Sequence, residues 1–209
     1  MVTTLPAPLS GLHIHSSPFD PAHAQLFVGA SLGRSDWRDF RCEGTTNCES
    51  RDTAGTVRFG YRYTPWLAVE GRYFDLGNAT ATSDSAFTGS NGAGTLVSHE
   101  RFSARGLGLD AVLSWPISDR FAIAGIAGVA RSEGKAHFSS EMVPADAQLS
   151  VPDVDGTKRA TNPYYGLAAG FAVTPQLWLS LEAERYRIDF GGGDTSLDLL
   201  AAGITYRFR

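Results

Sequence analysis

Read backwards from Phe208, every second residue is apolar: Phe208, Tyr206, Ile204, Ala202 and Leu200. Between them stand Arg207, Thr205, Gly203, Ala201 and Leu199, mostly small or polar. A period of two describes a β-strand with one greasy face and one mixed face. The same alternation recurs upstream. Leu26–Trp37 sets Val28, Ala30 and Leu32 against Phe27, Gly29, Ser31 and Gly33, and Thr56–Tyr63 sets Val57, Phe59, Tyr61 and Tyr63 against Arg58, Gly60 and Arg62. Leu67–Phe74 turns Leu67, Val69, Gly71 and Tyr73 one way and Ala68, Glu70, Arg72 and Phe74 the other. Further strands are expected over Arg101–Trp115, Phe121–Arg131, Tyr164–Val173 and Leu177–Arg187, before the last one that ends at Phe208.

The connections alternate in length. Arg38–Ala54, Asp75–Glu100 and Ser132–Thr161 are long polar stretches and read as loops. Thr64–Pro65, Pro116–Asp119 and Thr174–Pro175 are tight turns, and Gly191–Asp194 is of moderate length. Tight turns at one end and long connections at the other mark a transmembrane barrel with its short turns on the periplasmic side. Tyr63, Trp66, Trp115, Phe121 and Tyr206 fall at the short-turn ends, where an interfacial aromatic girdle belongs. Charge decides between lipid and water. A lipocalin-like soluble barrel would hold its large apolar residues inside. Here they share one face, while Arg58, Arg62, Glu70, Arg72, Asp110, Glu182 and Glu184 share the other. The pattern predicts an all-β, eight-stranded antiparallel up-and-down transmembrane barrel over residues 25–209, with both termini on the short-turn side. So narrow a lumen is filled by side chains. Arg58, Arg62 and Arg72 are expected to pair there with Glu70, Asp110, Glu182 and Glu184, because an unpaired buried charge costs several kcal/mol.

Bulk composition refines the picture only a little. With 209 residues, 43% hydrophobic and 19% charged, the chain fits one folded domain and not a disordered tail. A net charge of −4 argues against a nucleic-acid partner. Ala22–Ala24 has the small-x-small form of a signal-peptidase site, yet Met1–Pro21 lacks Lys, Arg and a long apolar core. Residues 1–24 are therefore read as a disordered leader or an atypical or truncated signal segment. The two cysteines, Cys42 and Cys48, flank Gly44 and Asn47 in the first long connection. They can close a small disulfide loop in an oxidising compartment, and would stay free thiols in a reducing one. A metal site needs more ligands than this loop offers.

Several stretches together resemble the OmpA-like family of eight-stranded outer-membrane barrels. LFVGASLG (Leu26–Gly33) matches its opening strand, and FGYRYTP (Phe59–Pro65) with VEGRY (Val69–Tyr73) its second hairpin. WPISD (Trp115–Asp119), AVTP (Ala172–Pro175) and GITYRF (Gly203–Phe208) match later turns and the closing strand, where Tyr206 and Phe208 form the assembly signal. The resemblance implies a bacterial outer-membrane location and a structural or surface-interaction role. It implies outer-membrane lipid and lipopolysaccharide, the barrel-assembly machinery, and a host or surface ligand at the loops as partners, with no cofactor. Glu70 falls at the family's acidic lumen position, while Val112, Gly170 and Ser180 occupy other positions of its interior network.

Patterns that suggest enzymes do not survive their context. Gly29–Gly33 fits a nucleophile elbow and Gly106–Ala111 a dinucleotide-binding loop, but both lie inside alternating strands with no helix after them. Asp153–Gly156 lacks the rest of a calcium loop. Asn78–Thr80 is a glycosylation sequon. His99 with Glu100, or His137 with Glu141, lack a matched nucleophile and read as surface residues. Two function classes remain: a structural or surface-interaction barrel, and a small pore or rim-site enzyme. The first is expected, with no catalytic, cofactor or metal residues.

Overall fold

The computed structural model describes residues 25–38, 40, 42–89, 92–143, 151–190 and 194–208. The expected leader lies outside these. Among the described residues nine strands form one sheet: β1 (Gln25–Trp37), β2 (Asn47–Glu49), β3 (Arg51–Arg62), β4 (Leu67–Gly89), β5 (Gly92–Pro116), β6 (Phe121–Val143), β7 (Val151–Ala172), β8 (Leu177–Asp189) and β9 (Asp194–Arg207). Pairing runs β4–β3–β1–β9–β8–β7–β6–β5 and returns to β4, a closed ring of eight. All of these pairs are antiparallel. The ring closes where Phe27 faces Arg207 and Trp37 faces Leu197. Closure satisfies every ladder within lipid, where an open edge has no water to bond. The ninth strand, β2, lies outside the ring, against Thr80–Thr82 of β4.

The alternation places the faces as its period dictates. Leu32, Leu107, Leu167, Leu181 and Leu200 are 59% or more exposed on the outside. Each leucine would contribute about 1.5–3 kcal/mol if buried in hydrocarbon, and so wide an apolar belt marks a membrane-facing surface. Along β5 the belt runs from Leu107 to Trp115, about 26 Å of strand at roughly 3.3 Å per residue. A tilt of about 40° brings that to roughly 20 Å across the membrane.

Two of the three segments expected as loops, Asp75–Glu100 and Ser132–Thr161, are largely strand, and this corrects the sequence reading. Paired residues of β4 and β5 continue to Gly89 and Gly92, those of β5 and β6 to Thr95 and Val143, and those of β6 and β7 to Ser140 and Val151. Beyond the bilayer both faces of a hairpin meet water, so apolar alternation vanishes while the ladder hydrogen bonds persist. β4 makes the transition through a bulge between Asp75 and Asn78. Gly77 there takes φ +70°, a conformation that favours glycine, and a side chain would also meet Asp52 Oδ2 at 2.7 Å. The Asp52 carboxylate instead accepts the Asn78 amide at 2.8 Å.

Candidate functional site

From the periplasmic mouth upwards, the lumen holds three layers. The middle one is built around Arg72, whose guanidinium reaches Glu70 at 2.5 Å, Asp110 at 2.6 Å and Glu184 at 2.5 Å. Tyr164 donates its hydroxyl to Asp110, and Tyr186 donates to Glu184 at 2.5 Å. The two tyrosine rings stack with centroids 4.9 Å apart. Gly108 leaves the space: a Cβ there would stand 3.0 Å from Arg72 Cγ and from the Tyr164 hydroxyl. Below lies a second ion pair, Arg58 to Glu182 at 2.5 Å. Arg58 also donates to Ser180 Oγ and Thr205 Oγ1, beside Gly29, whose absent side chain would come within 2.7 Å of Arg58 Nε.

Above the ionic layer the lumen turns apolar. Trp37, Phe74, Leu76, Ile188, Leu197 and Leu199 are all at most 2% exposed and form one core with Tyr164 and Tyr186. Phe102 packs edge-on against Phe40, Phe138 and Phe190 above them. The sequence reading anticipated charge in this lumen but not this aromatic plug. Its signal was the bulky inward residue at Trp37, Phe74 and Leu197; Phe74 shared the face of Glu70 and Arg72 in the alternation, but only the charged residues of that face were expected to fill the lumen.

Each expected site residue can now be placed. Arg58, Glu70, Arg72, Asp110, Glu182 and Glu184 all line the lumen and are buried. Arg62 departs from the expected pairing. It donates to the Pro65 carbonyl at 2.8 Å, and no described carboxylate forms an ion pair with it. Its position at the very end of β3 puts it below the carboxylates, which Arg58 and Arg72 already occupy. Val112, Gly170 and Ser180 border the lower lumen. Tyr63, Trp66, Trp115, Phe121 and Tyr206 point outward, with exposures from 38% to 56%. Tyr206 and Phe208 also point outward, their rings 5.2 Å apart. Cys42 and Cys48 form a disulfide with a Cα separation of 5.7 Å, closed around Gly44. His99 contacts Thr82 Oγ1, and His137 meets Asp155 at 2.6 Å. No described group of histidine, cysteine or carboxylate residues has the makings of a metal site.

A charged collar just above the apolar belt went unanticipated. Asp75, Arg105, Glu133 and Arg159 stand in one cross-strand row over β4–β7, and Arg185, Asp198, Asp36 and Arg51 form a second row over β8, β9, β1 and β3. Arg159 bonds Glu133 at 2.7 Å and Arg185 bonds Asp198 at 2.6 Å. Hydrogen bonds from Arg159 hold the Glu133 carboxyl below the usual carboxylate range. Arg34, Arg131 and Arg187 add outward positive charge at the same level. The sequence carried the signal, since the outward position switches from apolar to charged at Arg34, Asp75, Arg105, Arg131 and Arg185.

Comparison with known proteins agrees with this architecture. A family model described as an outer membrane protein beta-barrel domain matches residues 8–208. Among solved structures, Neisserial surface protein A is similar at 14% identity and a TM-score of 0.53, over 88% of this chain and 97% of the other. The attachment invasion locus protein Ail of Yersinia pestis is 17% identical, with a TM-score of 0.49 over 88% and 97%. The N-terminal barrel domain of OprF from Pseudomonas aeruginosa is 12% identical, with a TM-score of 0.48 over 89% and 100%. No curated protein matches the chain. An apolar belt outside a closed ring, with the family match running almost from end to end, places the chain in the bacterial outer membrane, as a member of the outer membrane protein beta-barrel family.

Proposed function

We propose that this barrel acts through its surface and does not conduct or catalyse. The lumen carries the reading: ion pairs around Arg72 and the aromatic layer from Trp37 to Phe102 fill the bore. The hairpins β4–β5 and β6–β7 are then the working surface, raised beyond the bilayer for adhesion, surface protection or membrane integrity. In planar bilayers the purified protein is expected to give no steady channel. Large, persistent open channels would sink this reading in favour of a small pore.

The collar supplies the lipid partner. Arginine forks suit the phosphates of lipopolysaccharide in the outer leaflet, and Arg105, Arg131 and Arg159 stand side by side at the height where those phosphates lie. The disulfide fits the same oxidising, cell-surface setting. Tyr206 and Phe208, at the membrane-facing end of the closing strand, are the recognition end for the barrel-assembly machinery. Refolded protein should unfold at a higher denaturant concentration in bilayers containing lipopolysaccharide than in phospholipid alone. The double variant Arg131→Gln, Arg159→Gln should narrow that gap. An unchanged gap would remove the collar from lipid recognition.

A further inference from the structure

At the periplasmic mouth the lumen opens into a cavity of about 100 Å³, bordered by Arg58, Arg62, Glu70, Trp178, Glu182 and Arg207. That is well above the roughly 10–15 Å³ one water requires. Ala122, Ala168 and Gly170 line the same cavity from β6 and β7, and their small size leaves the space beside Trp178 and Glu182. Arg207 is only 7% exposed. Its guanidinium carbon lies over the Trp178 ring, 3.9 Å from the centroid. Arg62 keeps its Nε buried without a hydrogen-bond partner.

The charges in the lumen are segregated. Arg72 forms the ion pairs with Glu70, Asp110 and Glu184, three carboxylates to one guanidinium, and the charge of Glu70 also reaches Arg62. Arg58 and Glu182 balance each other. Arg62 and Arg207 are left together at the mouth, and neither forms an ion pair with a described carboxylate. Arg207 is buried and Arg62 partly so, and two like charges that repel each other with part of their water lost suit an anion between them.

We infer that Arg62 and Arg207 form a binding site for a small oxyanion of phosphate size, entering from the periplasmic solvent. Each guanidinium presents a planar fork of donors that matches tetrahedral oxygens. The Trp178 ring holds the Arg207 guanidinium in place in advance, which lowers the ordering cost of binding. Glu70 and Glu182 border the same cavity, and Glu182 keeps Oε2 without a hydrogen bond, so repulsion places the anion away from both, between Arg62 and Arg207. The continuous strand wall leaves the open mouth as the way in, which favours a free ion over a lipid headgroup.

The test uses the full chain folded in phosphate-free maltoside detergent, with inorganic phosphate as the probe. Phosphate should raise the unfolding temperature saturably in the millimolar range, with sulfate acting similarly and chloride at equal ionic strength having no such effect. Arg62→Gln and Arg207→Gln should each weaken binding about tenfold, the loss of one charge-assisted contact. The heat-dependent gel shift reports whether each variant still folds, and the ion series on the unaltered protein decides the matter if one does not. Equal responses to phosphate and chloride would overturn the site. So would a response retained in both variants, or one that requires added phosphatidylglycerol and is absent with inorganic phosphate.

Discussion

Arg72→Ala is expected to destabilise the barrel by roughly 3–5 kcal/mol, the usual penalty for removing one partner of a buried ionic cluster. Glu70, Asp110 and Glu184 would be left converging without their shared cation. All three belong to a layer where the side chains of Arg72, Asp110 and Glu184 are 0% exposed. Water cannot easily take the cation's place, because Tyr164 and Tyr186 close the space above. Arg72→Lys should fall between the two, since an ammonium keeps the charge but lacks the fork that reaches separate carboxylates. Denaturant titration in lipid bilayers, followed by the heat-dependent gel shift, reads the difference. A loss below about 1 kcal/mol for Arg72→Ala would mean that the cluster contributes little beyond filling space.

The second large effect lies on the opposite face of the wall. Leu181→Arg should cost about 2–4 kcal/mol, the penalty for a cation at the bilayer midplane of a barrel. Leu181 is 64% exposed on the outside, paired with Ala169 and Ala202 in mid-belt. Its small neighbours offer no polar partner. Val154→Arg is the matched control, since Val154 is 57% exposed on the β7 extension beyond the membrane. A surface change of that kind normally stays within about 0.5 kcal/mol. Equal costs at the two positions, measured by refolding into bilayers, would refute the placement of the belt.

The belt was legible because lipid sorts residues strictly: Leu107, Leu109 and Leu113 could only face out, and Asp110 could only face in. Above Asp75 that sorting stops. The hairpin reaching Gly89 and Gly92 looked like a loop because water permits Ser, Thr and Gly on either face of a strand. In the lumen, the alternation identified the charged residues but not their partners. Arg58 reaches Glu182 across the bore, and that meeting depends on the stagger of strands far apart in sequence. Arg62 shares its inward parity with Arg58 yet sits too low to join them. Arg207 read merely as a polar residue between Tyr206 and Phe208, and its place over Trp178 emerges only when β8 and β9 are set side by side.

The seam between β1 and β9 differs in kind from every other join in the ring. Each of the remaining neighbours is tied to the next by a stretch of chain, so parting them leaves the two halves tethered. Phe27 and Arg207 are held together by the ladder alone, although they lie near opposite ends of the sequence. Bringing them together closes the longest loop in the molecule and carries the largest configurational entropy cost of any contact. The seam should therefore form last and part first. An incomplete set of strands has two raw edges and no stable resting state, so this wall cannot be acquired stave by stave. It exists as a hoop or not at all, and its weakest place is the one where the hoop was joined.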